Sequence, residues 1–254
     1  MTLVRDQRIT RTGDMVMARR TKEDAVATRN ALLDAAEQVF LAQGVSQSSL
    51  AAIAQQAGAT RGAVYWHFKD KLDLFNAMID RVTMPLDQVV FEGVGQLAGA
   101  APLSRMCRVM YLLFHGLVTD ERIRRVFTIM MHRMEFVGEL AALQVRHTSS
   151  MNEFTRRLAL DFAGAAEHQG VTLLSPPQLL ATGLRSLLDG LMHSWLMGVE
   201  GFDLEKDGFA TIQVYLVGAG LPREAVRLAF EEAMSEPGSL PGQVRMPCRY
   251  VDMG

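Results

Sequence analysis

Residues 50–69, LAAIAQQAGATRGAVYWHFK, constrain the fold more than any other part of the chain. Two short helices that cross through a tight turn need a small residue at their contact, a turn residue that tolerates positive φ, and an apolar anchor in the second helix. Ala54, Gly58 and Val64 supply these three requirements in that order. This spacing also occurs by chance in helical proteins, but it predicts a helix-turn-helix motif over about residues 49–68.

The second helix of this motif has a surface suited to nucleic acid. Its polar and amphipathic residues are Thr60, Arg61, Tyr65, Trp66 and His67. Hydroxyl, guanidinium and aromatic groups of this kind contact phosphates and base edges, whereas a helix this short is a poor choice for a purely structural element. Lys71 stands in the first turn of the following helix, where its charge opposes the helix dipole. We therefore expect Lys71 to act outside the fold, on a phosphate.

The remaining pattern is helical. Apolar residues recur at three- and four-residue steps after about Asp24, and Gly44 ends this first run. Ser48 is predicted to cap the first motif helix, Thr60 the second, and Asp70, with Asp73 as a capping-box variant, the helix after it. Pro85 is expected to kink or end that helix. Further helices are predicted at about 103–118, 121–140, 143–169, 177–199 and 204–219.

These features predict an all-α protein with two domains. We expect a disordered basic arm over 1–23, a three-helix DNA-binding domain over 24–70, a larger ligand-binding and dimerisation domain over 71–220, and a disordered tail over 235–254. Residues 1–71 carry ten Lys and Arg against seven Asp and Glu, and the remainder carries sixteen against 21. This asymmetry weakly favours an N-terminal domain that faces DNA.

The larger domain is rich in methionine and carries isolated polar groups on apolar helices. A cavity for amphipathic molecules is one interpretation, and ordinary core or surface side chains are the other. The candidate lining residues are Met106, Met110, Phe114, Phe127, Met131, Glu135, Leu188, Met192 and Trp195. The helices predicted at 177–199 and 204–219 also have apolar faces, which include Leu187 and Leu191.

Other functional classes find little support in the sequence. No stretch reaches the roughly 20 apolar residues that span a bilayer, and the N-terminus lacks the apolar core of a signal peptide, so we expect a cytoplasmic protein. Cys107 and Cys248 are too few for a disulfide framework. Motifs of serine hydrolases, P-loop proteins and zinc proteases are missing, so no catalytic residue, metal or cofactor is predicted. A helical adaptor that had lost its DNA activity would be expected to have lost the surface at 65–71 too.

The sequence resembles the TetR family of bacterial transcription regulators. TRGAVYWHFKDKLDLF is similar to the recognition-helix signature of that family, and residues 17–71 resemble its AcrR-type subgroup, which represses multidrug efflux operons. Weaker similarity continues through HRMEFVGEL, GLMHSWL and GFDLEKD. The resemblance therefore covers about residues 17–220.

The resemblance implies an all-helical homodimer with a three-helix DNA-binding domain, in which the helices at 177–199 and 204–219 pair with a second copy as a four-helix bundle. Such a dimer binds a pseudo-palindromic operator in double-stranded DNA and is released by a small amphipathic or aromatic inducer. By position, Thr60, Arg61, Gly62, Tyr65 and His67 would face the major groove or its phosphates. Lys71 would hold a phosphate, and Thr28 and Arg29 would lie near the DNA backbone. Ser48 and Ser49 would cap the first helix of the motif close to DNA. Regulation of lipid or metabolite pathways is the alternative within the family. The sequence does not identify the operator, the regulated genes or the inducer. It also leaves open whether the protein represses or activates transcription, and whether translation starts at Met1, Met15 or Met17.

Overall fold

The computed structural model describes residues 10–91, 100–136 and 140–235, which form ten helices and no strand within those ranges. The helices are α1 (Thr10–Gln43), α2 (Leu50–Gln56), α3 (Arg61–His67), α4 (Lys71–Phe91), α5 (Pro102–Thr119), α6 (Glu121–His132), α7 (Ala141–Gln169), α8 (Pro177–Leu196), α9 (Lys206–Gly218) and α10 (Arg223–Ser235). The prediction of an all-α fold is confirmed.

The chain divides into two compact units between Met78 and Ile79. The division falls inside α4, eight residues after the boundary drawn from the sequence at 70/71. Residues of α4 therefore belong to both units.

In the first unit, α1, α2 and α3 pack on one another. Ile53 of α2 and Val64 of α3 are fully buried, together with the apolar run that the period of α1 predicted: Leu32, Leu33, Ala36, Val39 and Phe40. The ring of Phe40 meets Phe75 edge to face, with centroids 5.7 Å apart. Burial of this shared core sets the positions of the two short helices, which are too short to be stable alone.

The second unit is arranged around α5, which packs against α6, α7 and α10. Its residues are buried on nearly every side, as expected of a central helix. α8 packs on α7, α6 and α9, and α10 also packs on α9. Aromatic contacts link three of these helices. The ring centroid of Phe209 in α9 lies 5.5 Å from that of Phe114 in α5 and 5.8 Å from that of Phe230 in α10.

Several predicted boundaries are wrong. α1 begins at Thr10, so residues 10–23 are helical where a disordered arm was expected; residues 15–23 are mostly good helix formers. α6 ends at His132 instead of extending to 140. Of the two outcomes expected at Pro85, a kink or an end of the helix, the end is excluded, because α4 continues past Pro85 to Phe91.

α10 was not predicted, since the last predicted helix covers 204–219 and no element was assigned to residues 221–234. Its buried residues, Val226, Ala229, Phe230 and Ala233, nevertheless follow the helical period and could have revealed it. The predicted arm at 1–9 and the predicted tail at 236–254 lie outside the described residues.

Candidate DNA-binding surface and ligand-binding region

The turn between α2 and α3 has the geometry expected from its sequence. Gly58 adopts φ +63°, a conformation that side-chain-bearing residues rarely adopt. The Thr60 hydroxyl accepts a hydrogen bond from the backbone N–H of Ala63 at 3.1 Å, so Thr60 caps α3. Both predictions are confirmed, and together they fix where α3 begins and how it leaves α2.

α3 presents a large aromatic surface. Tyr65 is 54% exposed and Trp66 is 71% exposed, although aromatic side chains of this size are usually buried. Arg61 and Gly62 are exposed too, and His67 is half-buried with its ring 4.4 Å from that of Trp66. Val64 holds the opposite side of α3 in the core. The exposed face is therefore accessible to a partner outside this chain.

Arg29 of α1 adds a positive charge close to the end of α3. Its guanidinium lies over the ring of Phe68, 5.1 Å from the centroid, and its side chain is exposed. Burial of the imidazole and the charge of Arg29 both lower the pKa of His67. Thr28 is half-buried, and its hydroxyl donates to the Asp24 carbonyl within α1.

Ser49, not Ser48, caps α2, because the Ser49 hydroxyl accepts from the backbone N–H of Ala52 at 3.1 Å. The sequence analysis gave the cap to Ser48. That side chain is buried, and its hydroxyl donates to the Gly44 carbonyl instead. Ser48 therefore ties the loop to the end of α1.

The structure gives Lys71 partners within the fold, although its position at the start of α4 predicts a role outside the fold, on a phosphate. Its side chain is only 8% exposed, and its ammonium donates to the carbonyl oxygens of Ser46 and Ser48, both at 3.1 Å. Asp70 and Asp73 cap the start of α4, since Asp73 N–H donates to Asp70 and Lys69 N–H donates to Asp73. Lys71 thus anchors the loop before α2 to the start of α4.

The candidate pocket residues of the second unit lie on three helices, α5, α6 and α8. On α5, Met106, Met110 and Phe114 are fully buried, and Phe114 belongs to the aromatic contacts with Phe209. Leu188 and Met192 of α8 are buried as well. Phe127 and Met131 of α6 and Trp195 of α8 are half-buried, whereas Glu135, beyond the end of α6, is exposed. The half-buried members therefore belong to α6 and α8, which pack together.

Arg124 is a residue of this region that the sequence analysis missed. Its guanidinium lies over the ring of Trp195, 5.4 Å from the centroid. Nε donates to the Leu117 carbonyl at 3.1 Å and Nη2 to the Val118 carbonyl at 2.5 Å, in the last turn of α5. One side chain therefore joins α5, α6 and α8.

Two histidines also meet between α6 and α8. The rings of His132 and His193 are stacked with centroids 4.6 Å apart. Burial, with the nearby His193 and Arg133, lowers the pKa of His132. Its Nε2 is buried and makes no hydrogen bond to a described residue.

The helices expected to form a dimer carry uncharged exposed residues. Leu179, Thr182, Ser186 and Gly190 lie on the exposed face of α8, and Val214 of α9 is 73% exposed. Leu187 and Leu191, chosen from the sequence, are half-buried and contribute less to this surface.

Among the described residues, no three His, Cys, Asp or Glu side chains are grouped so that they could hold a metal ion. In the same part of the chain, no helix combines the length and apolarity needed to cross a membrane.

Two family models match the chain. Residues 32–78 match bacterial regulatory proteins of the tetR family, and residues 101–218 match the C-terminal region of MAATS-type transcriptional repressors. Together they cover more than half of the sequence.

Among curated proteins, the HTH-type transcriptional regulator AcrR of Shigella flexneri is 35% identical over 79% of this chain and 93% of its own length. The HTH-type transcriptional repressor BepR of Brucella suis biovar 1 is 36% identical over 80% and 97%. Among solved structures, NalD, the secondary repressor of the MexAB-OprM multidrug efflux pump in Pseudomonas aeruginosa, superposes with a TM-score of 0.68 at 34% identity, covering 76% of this chain and 97% of NalD. The SmeT–triclosan complex superposes with a TM-score of 0.63 at 28% identity, covering 88% and 100%.

Proposed function

Since this chain belongs to the TetR family and is a DNA-binding transcriptional regulator, we propose that it represses a multidrug efflux operon and releases its operator when an aromatic ligand binds. Regulators of this type bind operator DNA as dimers. The observation that carries the efflux proposal is similarity over nearly the whole length of relatives that repress such pumps, NalD among them.

The exposed face of α3 supports the DNA-binding part of the proposal. Tyr65 and Arg61 project from a helix whose other side is fixed in the core by Val64. An aromatic hydroxyl and a guanidinium contact base edges and phosphates in the major groove. In a dimer, two such helices enter successive major grooves about one helical turn apart, so the operator is a pseudo-palindrome.

The second unit supports the ligand-binding part. α6 and α8 carry half-buried Phe127, Met131 and Trp195 beside buried methionines, and flexible thioether side chains adapt to ligands of different shape. SmeT, which is similar over its whole length, forms a complex with triclosan. A ligand releases DNA only if it binds better to the conformation that has low affinity for the operator.

The first test is binding to the DNA upstream of the protein's own gene and of adjacent pump genes, followed by fluorescence anisotropy. We expect Tyr65→Ala to weaken binding to the operator much more than binding to random DNA. Arg61→Ala should lower the slope of log affinity against log salt by about one unit. The matched control is Arg223→Ala, an exposed arginine at the start of α10, which should leave both measurements unchanged.

The second test is release of that operator by drugs. Triclosan should lower the affinity for the operator about 5- to 150-fold, the range of ordinary allosteric coupling, and the operator should weaken triclosan binding by the same factor. Specific binding to pump-gene DNA that no drug affects would contradict ligand release. Binding to operators of unrelated genes alone would favour regulation of a lipid or metabolite pathway.

A further inference from the structure

Arg124 has an environment that differs from that of the arginines in the second unit that form ion pairs. Arg105, Arg146, Arg157, Arg185 and Arg227 all form ion pairs with carboxylates. Arg124 instead contacts two backbone carbonyls and the ring of Trp195, and it has no carboxylate partner among the described residues. A half-buried guanidinium is more stable with an anion beside it than with neutral partners alone.

The acidic residues nearest in sequence are engaged elsewhere. Asp120 accepts hydrogen bonds from the backbone N–H groups of Arg122 and Ile123 and so caps α6. Glu121 pairs with Arg125 at 3.1 Å. Glu135, the one carboxylate among the candidate pocket residues, is exposed. These arrangements leave the positive charge of Arg124 uncompensated by any described side chain.

The bonds of Arg124 also fix its orientation. Nε and Nη2 are held by the last turn of α5, and the guanidinium plane is held near Trp195. Nη1 makes no hydrogen bond to a described residue. A guanidinium held in this way is preorganised for one more acceptor, since little side-chain entropy remains to be lost.

The same contact affects cationic ligands. Aromatic cations are commonly bound over the electron-rich face of a tryptophan. Arg124 already lies over the Trp195 ring, so an incoming cation finds that position taken by a like charge. An aromatic anion meets an attractive charge at the same place.

We propose that Arg124 determines ligand specificity, and that the inducer is an aromatic molecule with an acidic oxygen, a phenol or a carboxylic acid, bound against Nη1 of Arg124 and the edge of Trp195. This inference rests on the proposed function, because it concerns the ligand that releases the operator. It assigns a charge preference to that ligand: acidic aromatics bind, and cationic aromatics are rejected.

The test measures dissociation constants by calorimetry on the full-length dimer. The probes are triclosan, which carries a phenol; its methyl ether, which has the same rings but no acidic hydroxyl; and ethidium, an aromatic cation. We expect triclosan to bind at least tenfold more tightly than either of the others. This comparison needs no variant, so it stands even if substitutions at Arg124 impair folding.

Arg124→Gln keeps a hydrogen-bonding side chain but removes the charge, and it should reduce the tenfold preference to about twofold or less. Arg124→Lys should retain most of the preference. Arg125→Gln is the matched control, because Arg125 is the adjacent arginine and is paired with Glu121; it should leave the preference unchanged. Equal binding of triclosan and its ether, tighter binding of ethidium, no triclosan binding, or a preference that survives Arg124→Gln would each overturn the inference.

Operator release is measured separately on the same proteins. If triclosan binds with the Arg124-dependent preference but leaves the operator bound, the proposed ligand release fails and the charge preference stands. If triclosan releases the operator and Arg124→Gln changes nothing, the charge preference fails and the proposed function stands.

Discussion

At the scale of single residues, helix caps bond to groups a few residues away, whereas Lys71 and Arg124 contact partners far along the chain. Thr60 and Asp70 cap helices through groups three residues away, so a short sequence window contains both partners. The acceptors of Lys71 lie 23 and 25 residues earlier in the chain, and the ring under Arg124 belongs to Trp195. The positive charge of Lys71 at the start of α4 therefore indicated that it needs acceptors, but not where in the chain they lie.

Lys71→Ala should destabilise the DNA-binding unit by about 2 kcal/mol, because it leaves the carbonyls of Ser46 and Ser48 without their buried donor. Urea denaturation of the full chain measures this loss. Lys69→Ala, at an exposed position two residues earlier, is the control and should change stability by less than about 0.5 kcal/mol. An unchanged stability for Lys71→Ala, with a smaller salt slope in operator binding, would restore the phosphate-binding role expected from the sequence.

His132 should make the protein less stable in mild acid. Burial and its charged neighbours lower the pKa of His132 in the folded chain, so the unfolded chain takes up its proton first, at about pH 6.5. Because the unfolded state binds more protons below that pH, stability falls as pH falls. Urea midpoints at pH 7.5 and 5.5 measure the change, and His132→Asn should reduce it. If the stability of His132→Asn falls between pH 7.5 and 5.5 by as much as that of the unchanged protein, His132 is not the group that titrates.

At the scale of elements, the apolar period and the caps predicted where most helices lie, while the ends of the helices depended on packing. Gly58 and the buried run in α1 were identifiable because each follows from local stereochemistry. α10 was missed although its buried residues follow the helical period, and it packs on α5 and α9. The half-buried residues of α6 and α8 were predicted as candidates, but their contact with Arg124 required knowledge of how the helices cross.

The contact between α8 and α9 depends on Gly183. A Cβ at this position would overlap the Tyr215 hydroxyl oxygen and lie 3.2 Å from its Cζ, while that hydroxyl donates to the Leu180 carbonyl at 2.8 Å. Gly183→Ala should therefore lower stability by about 1–3 kcal/mol through overpacking, measured by thermal unfolding. Adding Tyr215→Phe removes the overlapping atom and should recover part of the loss. If the double variant is as unstable as the sum of the two single variants, the overlap is not the cause.

At the scale of the whole molecule, we expect a second copy to bind on the exposed faces of α8 and α9. Val214 is 73% exposed on α9 although it is apolar, and a two-fold interface requires the same patch on both subunits. Val214→Glu should therefore convert the dimer into monomers in sedimentation velocity and abolish operator binding. Val145→Glu places the same charge at a 71% exposed valine of α7 and should leave the dimer intact. Dissociation by the α7 variant alone would move the interface to that helix.

The position of Cys107 offers a way to measure opening of α10. The thiol is buried on α5, the helix that α10 covers, and burial together with Glu232 raises its pKa well above the usual range. The thiolate is the reactive form, so a disulfide reagent should react with Cys107 only while local opening exposes it, and we expect displacement of α10 to be that opening. After Cys248→Ser removes the other thiol, the rate at which the reagent labels Cys107 reports how often α10 opens. A ligand that loosens α10 would raise the labelling rate of Cys107 even where the average structure stays the same.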